Sequence, residues 1–442
     1  MILRDMGDGL ILRRARLNEA ETLGLFYAEA FRRQSDTEIN RDFVAWIRGM
    51  ALAQEHPFGA HNFTVVEDTT KGQIVSSLNL ISQTWAYAGV DIPLGRIEPV
   101  ATHAEYRQRG LVRAQFQVAH QWSAERGELA QAITGIPYFY RQFGYEMTID
   151  AWCGRAGANS LAPRLEEGKE EPYRLRQAIN EDAPFIKEMA DGAAGRYLLT
   201  CKRDETIWRR ELTLRGESGR PRTEMRIIES PSGEKVGFLA YNNELWNGSV
   251  QAFAYELRPG LSWAAVTPTV LRYLKATGEE YLKQNEKATE FVRIGFYLGA
   301  EHPAYLIAAG ALPEVIRPYA FYVRVPDLPA FLRHIGPVLE QRLAGSPLAG
   351  HTGELKLSFY RSGLRLAFQE GKLAAVEAWR PTPGDDGEAA FPDLTFLKLL
   401  FGYRTQEEIQ HLFPDCWAGS DTTRALLAAL FPKGPSLVWP IA

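Results

Sequence analysis

Three cysteines in 442 residues, Cys153, Cys201 and Cys416, are too few and too scattered for a disulfide framework or a zinc site. The acidic run Asp385-Asp386-Gly387-Glu388 lacks the ligand spacing of an EF-hand loop and reads as a solvated turn. A metal-free protein is expected. No long apolar run is present either. The most apolar stretch, residues 292–316, carries Arg293, Glu301, His302 and Pro303, so it is not read as a membrane span. Charge of one sign is missing too: 50 Lys and Arg against 54 Asp and Glu leave a net charge of −4, which argues against nucleic acid as a partner. The opening Met-Ile-Leu-Arg-Asp-Met-Gly-Asp-Gly has no secretory apolar core, and a cytoplasmic location is expected.

What is there describes an ordinary globular chain, 45% hydrophobic and 24% charged, too long for one core and suited to about three domains. It holds an internal repeat. The run from Leu12 to Ala20 is echoed from Leu175 to Ala183, each reading as a strand and then a helix that starts near an Asn cap, Asn18 or Asn180. Further on, Val65-Val66-Glu67 before Gly72 is echoed by Ile227-Ile228-Glu229 before Gly233, each a β-hairpin. Two copies of one α/β unit account for this order. Residues 154–171, rich in Gly, Ala, Pro and charge, read as a linker between them.

A third unit begins at Pro326. It has one helical pattern across Phe331, Ile335, Val338, Leu339 and Leu343, then strands at residues 355–359, 364–368 and 373–379. Residues 381–388 suit a mobile surface loop, and Thr405-Gln406-Glu407-Glu408 has capping-box spacing that should open a short helix.

The chemistry concentrates in the first unit. A β-like stretch, residues 96–102, passes through a polar turn into Arg107-Gln108-Arg109-Gly110-Leu111-Val112. A helix follows with Val112, Phe116, Ala119 and Trp122 on one face. Gly110 lets a backbone approach a ligand, and the first N–H groups of a helix are unpaired donors. With arginines beside it, such a turn suits a phosphate or pyrophosphate. Pro99 cannot donate to a ladder, so its strand must bulge or part from a neighbour. Downstream, a buried-strand candidate at residues 129–136 leads into Tyr138-Phe139-Tyr140-Arg141-Gln142-Phe143-Gly144-Tyr145.

These two segments resemble the acyl-coenzyme A loop and the Phe-Tyr-x-x-x-Gly-Phe/Tyr segment of the GNAT N-acetyltransferases. Val112 stands where that family's loop ends in glycine or alanine. The resemblance implies that Tyr140 protonates the departing thiolate of coenzyme A. It implies that Gln108, Arg109, Gly110, Leu111, Val112 and Arg113 receive the pyrophosphate. The pantetheine arm would lie between two splayed strands, one exposing Val100, Ala101 and Thr102, the other Gly135 and Ile136. Core packing is expected of Tyr138, Phe139, Phe143 and Tyr145, and of Trp85, Tyr87 and Trp122. His120 is expected to be structural or exposed. His103, Glu98 and Glu105 are further candidates on the same segment, with Glu98 the fallback base.

The second copy has Phe253 to Trp263 at the corresponding place and no phosphate loop, so it reads as degenerate. The order of units resembles the Eis-type acetyltransferases. The expected fold is therefore α/β (α+β): two tandem GNAT acyltransferase folds, the second degenerate, plus a sterol carrier protein-like α+β domain. The boundaries are residues 1–153, 154–325 and 326–442. The resemblance implies acetyl-CoA as co-substrate and a small-molecule or peptide amine as acceptor, such as an aminoglycoside, another polycation or lysine, without membrane insertion. It also implies a hexamer, and the C-terminal carboxylate of Ala442 as general base. Direct transfer is expected, since no cysteine is placed beside a histidine base. The alternatives are a non-catalytic acyl-CoA- or lipid-binding protein and a tandem transferase of a longer acyl chain.

Overall fold

A computed structural model describes residues 2–32, 38–53, 57–214, 216, 223–284 and 290–441. The first unit opens with β1 (Ile2–Gly7) and β2 (Leu10–Arg14), which sends Leu10 and Leu12 into the core. Two helices, α1 (Ala20–Ala30) and α2 (Arg41–Leu52), precede an antiparallel run of β3 (Phe63–Asp68), β4 (Gln73–Tyr87) and β5 (Val90–Thr102). Next comes α3 (Leu111–Glu125), which buries Phe116, Ala119 and Trp122 along the face their spacing predicts. β6 (Ala130–Thr134) then returns parallel to β5, and β7 (Glu146–Met147) ends the unit.

The second unit repeats this order. It runs through β8 (Gly154–Ala158), β9 (Arg174–Gln177), α4 (Ala183–Ala194), β10 (Leu199–Cys201) and α5 (Glu205–Thr213). It continues through β11 (Thr223–Glu229), β12 (Lys235–Asn242), β13 (Ser249–Leu257), α6 (Trp263–Gln284), β14 (Arg293–Phe296), α7 (Pro303–Ile307), β15 (Glu314–Ile316) and β16 (Phe321–Arg324). The repeat extends to individual charges. Arg13 pairs with Glu19 at 2.5 Å and Glu67 at 2.6 Å; Arg176 pairs with Asp182 and Glu229, both at 2.6 Å. In both places the acid also accepts a backbone N–H, from Arg16 or Ile179, and so closes the turn that starts the helix. The expected Asn caps are not the caps: Asn18 and Asn180 sit inside 3-10 turns, and Glu19 and Asp182 do the capping work.

The units exchange strands. Phe321–Arg324, at the end of the second unit, enters the first sheet between β6 and β7. Gly154–Ala158, just after the first unit, enters the second sheet between β14 and β15. The latter corrects the linker reading of residues 154–158. Small residues serve here because the backbones are close: a β-carbon at Gly154 or Gly157 would lie 1.9 Å from the carbonyl oxygen of Phe296 or Ala311. No larger side chain fits either place.

The third unit holds α8 (Leu328–His334), α9 (Gly336–Ala344), the meander β17 (Gly353–Ser358), β18 (Gly363–Gln369) and β19 (Lys372–Trp379), then β20 (Ala389–Ala390). It ends with α10 (Phe396–Leu400), α11 (Gln406–Leu412), β21 (Trp417–Ala418), α12 (Asp421–Leu430) and β22 (Ser436–Leu437). The single expected helix is two, divided at Ile335-Gly336-Pro337, where proline takes a first-turn position of the second. Thr405 and Glu408 form the expected capping box. Asp385, in the expected surface loop, accepts the Lys356 ammonium at 2.7 Å. Leu339, Leu357, Leu366, Leu400 and Leu427 share one core with Trp85, Tyr87 and Leu94 of the first sheet, so this unit packs on the first without a boundary in the apolar interior. Among the described residues, no helix is long and apolar enough to cross a membrane.

Candidate active site

Backbone pairing between β5 and β6 stops early. Leu94, Gly95 and Arg96 lie in parallel register with Ala130, Gln131 and Ala132, and nothing beyond them pairs. Val100, Ala101 and Thr102 keep their partners on β4, opposite Leu78, Ser77 and Ser76, but face no strand on the β6 side. A bulge between Leu78 and Leu80 sits opposite the Glu98–Pro99 step, as a strand proline requires. β6 turns to β16 instead. The result is a V-shaped opening at the C-terminal ends of two parallel strands.

The loop after β5 closes the upper end of this opening. Gln108 and Gly110 adopt left-handed backbone conformations, φ +62° and +74°. Such alternation turns successive N–H groups toward one side and makes an anion-binding nest. Gly110 caps α3 with no side chain on the helix end. Among the described residues, the N–H groups of Gln108, Arg109, Gly110, Leu111, Val112 and Arg113 have no acceptor; the first paired amide is Ala114, bonded to Gly110 at 3.0 Å. The side chain of Val112 packs into the core behind the helix with Phe116 and Ile133. A valine there leaves the amide open. Arg109 pairs with Asp8 at 3.1 Å, and Arg113 donates to Gln142 at 2.9 Å.

The opposite wall begins at Gly135, φ +135°, where β6 ends. Ile136 is exposed. Tyr140 lies in the 3-10 turn Phe139–Phe143 and folds back over Gly135, so that a β-carbon there would be 3.5 Å from the phenol oxygen. Tyr140 is buried, yet among the described residues its hydroxyl has no hydrogen-bond partner. Burial, and then the nearby Tyr319 and Tyr322, push its pKa up to about 12, so it holds its proton at neutral pH. Phe116 stacks on Phe143 at 4.3 Å and supports the turn. Phe143 and Tyr145 pack as expected, as do Trp85, Tyr87 and Trp122. Tyr138 and Phe139 do not. Tyr138 is 73% exposed, because its left-handed backbone (φ +69°) turns the ring outward, and Phe139 lies at the surface.

Glu98 spans the mouth of the V. Its carboxylate accepts from Arg96 Nη2 on its own strand and from Thr134 Oγ1 on β6 at 2.9 Å. Continued in the same register, Glu98 and Thr134 would be the second pair beyond Arg96 and Ala132, so side chains join the strands there in place of backbone. His103 lies exposed in the turn against Tyr106. His120 points away from the site into a hydrogen bond with Tyr145 at 2.8 Å; burial lowers its pKa to about 3 and leaves it neutral, a structural histidine. Ala442 lies outside the described residues. The residues before it reach the site: Ile441 is buried beside Ala101 and Tyr27. Its carbonyl accepts from Gln83 at 2.7 Å and from Arg96 at 3.1 Å. Sequence reasoning missed Gln83, Arg96 and Arg203. The one available signal was an arginine, Arg96, inside an otherwise apolar strand.

Residues 12–148 match the family described as acetyltransferase (GNAT) domain. The chain is an acyltransferase. The matching family uses acetyl-coenzyme A as its acyl donor. Three solved structures align along nearly the whole chain. A conserved protein of Enterococcus faecalis V583, described as a probable N-acyltransferase, has a TM-score of 0.65 at 15% identity and covers 97% of this chain and 98% of its own. A GCN5-related N-acetyltransferase from Anabaena variabilis ATCC 29413 has 0.65 at 15%, covering 97% and 99%. Eis1 from Mycobacterium abscessus has 0.58 at 13%, covering 96% and 97%. At these identities the likeness is one of fold, and it spans nearly the whole chain. No curated protein matches.

The corresponding place in the second unit is shut. β13 pairs with β14 only from Ser249 to Ala252 and then diverges, as β5 does from β6. Here His302 fills the gap: its Nε2 sits 3.0 Å from the Tyr255 carbonyl, and its ring packs edge-on against Trp263 at 5.0 Å. The strand carbonyl that would otherwise face an opening is satisfied by the chain itself.

Proposed function

We propose that the chain is an acetyl-coenzyme A-dependent N-acetyltransferase that transfers its acyl group directly to an amine in a ternary complex. The acceptor is a polycation, an aminoglycoside or related amine, or a lysine side chain. One observation carries this reading: a row of six open N–H groups, a strand edge unpaired on one side and a phenol without a hydrogen-bond partner among the described residues converge on one sheet end. The amides of 108–113 suit a pyrophosphate. Val100, Ala101 and Thr102 on one side, and Gly135 and Ile136 on the other, suit an extended amide-bearing arm that hydrogen-bonds like a strand.

In the reaction the amine nitrogen attacks the thioester carbonyl, a C–N bond forms, and the C–S bond breaks with its electron pair on sulfur. Tyr140 donates to that sulfur. A phenol near 12 gives its proton to an ordinary thiolate only uphill, but burial raises the proton affinity of a thiolate in the same place. The hydrogen bond therefore strengthens as charge builds on sulfur, which is when it lowers the barrier. The amine's proton goes to a carboxylate. Resemblance assigns that role to Ala442, and the burial of Ile441 at the site supports it; Glu98 is the alternative carboxylate. Holding amine and thioester together supplies much of the rate.

The domain boundaries are placed at 153/154 and 325/326, and two strands of the second unit, Leu199–Cys201 and Phe321–Arg324, pair in the first sheet. The second unit is read as a degenerate copy, supported by His302 in its gap. The third is read as a sterol carrier protein-like unit with a filled core. The test is thiol release from acetyl-coenzyme A across aminoglycosides, polyamines and lysine peptides. Turnover with an amine supports the proposal; tight coenzyme A binding with no amine accepted refutes it.

A further inference from the structure

The last residues of the chain cross all three units. After α12 the backbone leaves the third unit, and Ser436–Leu437 lies parallel to β10 of the second, opposite Leu199 and Thr200. Trp439 then meets the second unit's Trp208 edge-on at 5.8 Å, and Ile441 enters the core of the first. Short irregular tails are normally frayed. This one is tied down by buried donors from two units. Arg203, between β10 and α5, donates one guanidinium nitrogen to the Trp439 carbonyl and another to the Pro440 carbonyl at 3.1 Å. Its guanidinium lies 4.3 Å from the ring centre of Trp439 and 5.2 Å from that of Trp208. Among the described residues no carboxylate forms an ion pair with it. A buried arginine is costly to desolvate, and here two main-chain carbonyls and two indole faces offset that cost.

The consequence reaches the site through one carbonyl. Ile441 accepts from Gln83 and from Arg96, and the same Arg96 holds Glu98 across the mouth of the V with Thr134. We infer that Arg203 is a positioning residue for acyl transfer: it fixes residues 439–441, the Ile441 carbonyl fixes Arg96, and Arg96 fixes the Glu98 carboxylate at the mouth through which the amine enters. This inference rests on the N-acetyltransferase reading above. It also gives the second unit a role in the reaction, since Arg203 and Trp208 both come from it.

Arg203 touches no reacting atom and lies away from the amides of 108–113. Its loss should therefore fall on the amine and not on coenzyme A. The experiment compares full-length wild type, Arg203→Ala and Trp439→Leu in steady-state turnover with acetyl-coenzyme A and the best amine. Coenzyme A affinity is measured separately by calorimetry. Arg203→Ala should lower kcat/KM for the amine on the order of tenfold to a hundredfold with coenzyme A affinity unchanged. Millimolar methylguanidinium should restore part of the rate by occupying the space between the two indoles. Trp439→Leu, which removes the stack from the tail side, should show the same split and keeps the test available if Arg203→Ala fails to fold. An active wild type with unaffected variants overturns the inference alone. So does an equal loss of amine turnover and coenzyme A affinity, which marks general damage. A wild type that accepts no amine overturns the N-acetyltransferase reading, and the inference with it.

Discussion

Replacing Gly110 with alanine isolates the loop that should hold the pyrophosphate. Its φ is +74°, and a β-carbon built there meets nothing within 4 Å. No clash contributes, so the whole effect is conformational. A non-glycine residue in the left-handed region costs about 1–2 kcal/mol. If the free loop relaxes, that energy must be recovered on binding, and the coenzyme A Kd rises about fivefold to thirtyfold. If the loop keeps its shape when empty, the same energy appears as lost stability. Calorimetric titration with coenzyme A and urea unfolding together measure both shares, and their sum should come to about 1–2 kcal/mol. Asparagine tolerates this conformation, so Gly110→Asn should cost distinctly less than Gly110→Ala. An alanine variant unchanged in both affinity and stability would refute the reasoning, as would an asparagine variant that suffers equally.

Lys398 of α10 reaches into the first unit, where its ammonium lies 2.7 Å from buried Glu146, which also pairs with Arg141 beside Tyr140. Lys398→Met should destabilise the chain by about 3 kcal/mol, the low end for breaking a buried pair because Arg141 remains; urea unfolding checks it, and adding Glu146→Gln should recover part. His302→Ala should cost about 1–3 kcal/mol by leaving the Tyr255 carbonyl unpaired while coenzyme A affinity, measured by titration, stays as it was. His120 binds its proton only near pH 3 in the folded state and near 6.5 when exposed. The unfolded chain then holds more protons between those values, so stability falls as pH drops through that window, by up to about 1.4 kcal/mol per unit. Unfolding measured from pH 7 downward should show a shallower acid slope in His120→Gln than in wild type.

The parts of this site that could be read in the sequence are the local ones. A glycine at a turn, apolar residues three and four apart, and a tyrosine a fixed distance before Phe143-Gly144-Tyr145 each act within a few residues, so their geometry follows from their order. What could not be read depends on partners far along the chain. Gly154–Ala158 has the composition of a linker because two backbones crowd it, and no local rule distinguishes that from flexibility. Phe321–Arg324 alternates like any strand, but nothing in it names β6 as its partner. Arg203 and Trp439 are 236 residues apart. Tyr138 belongs to an aromatic run that suggests core, and one left-handed residue turns it out to solvent.

Thiol release by Tyr140→Phe is the most direct test of the central claim that this sheet end performs acyl transfer with the phenol as donor to the leaving sulfur. The substitution removes one oxygen from a buried ring whose hydroxyl makes no hydrogen bond among the described residues, so folding and coenzyme A affinity should survive. Turnover with the accepted amine should fall by about 10²- to 10⁴-fold, the range for a lost general acid. A variant that turns over like wild type, with coenzyme A bound equally well, would contradict the assignment of Tyr140 and of the chemistry built around it.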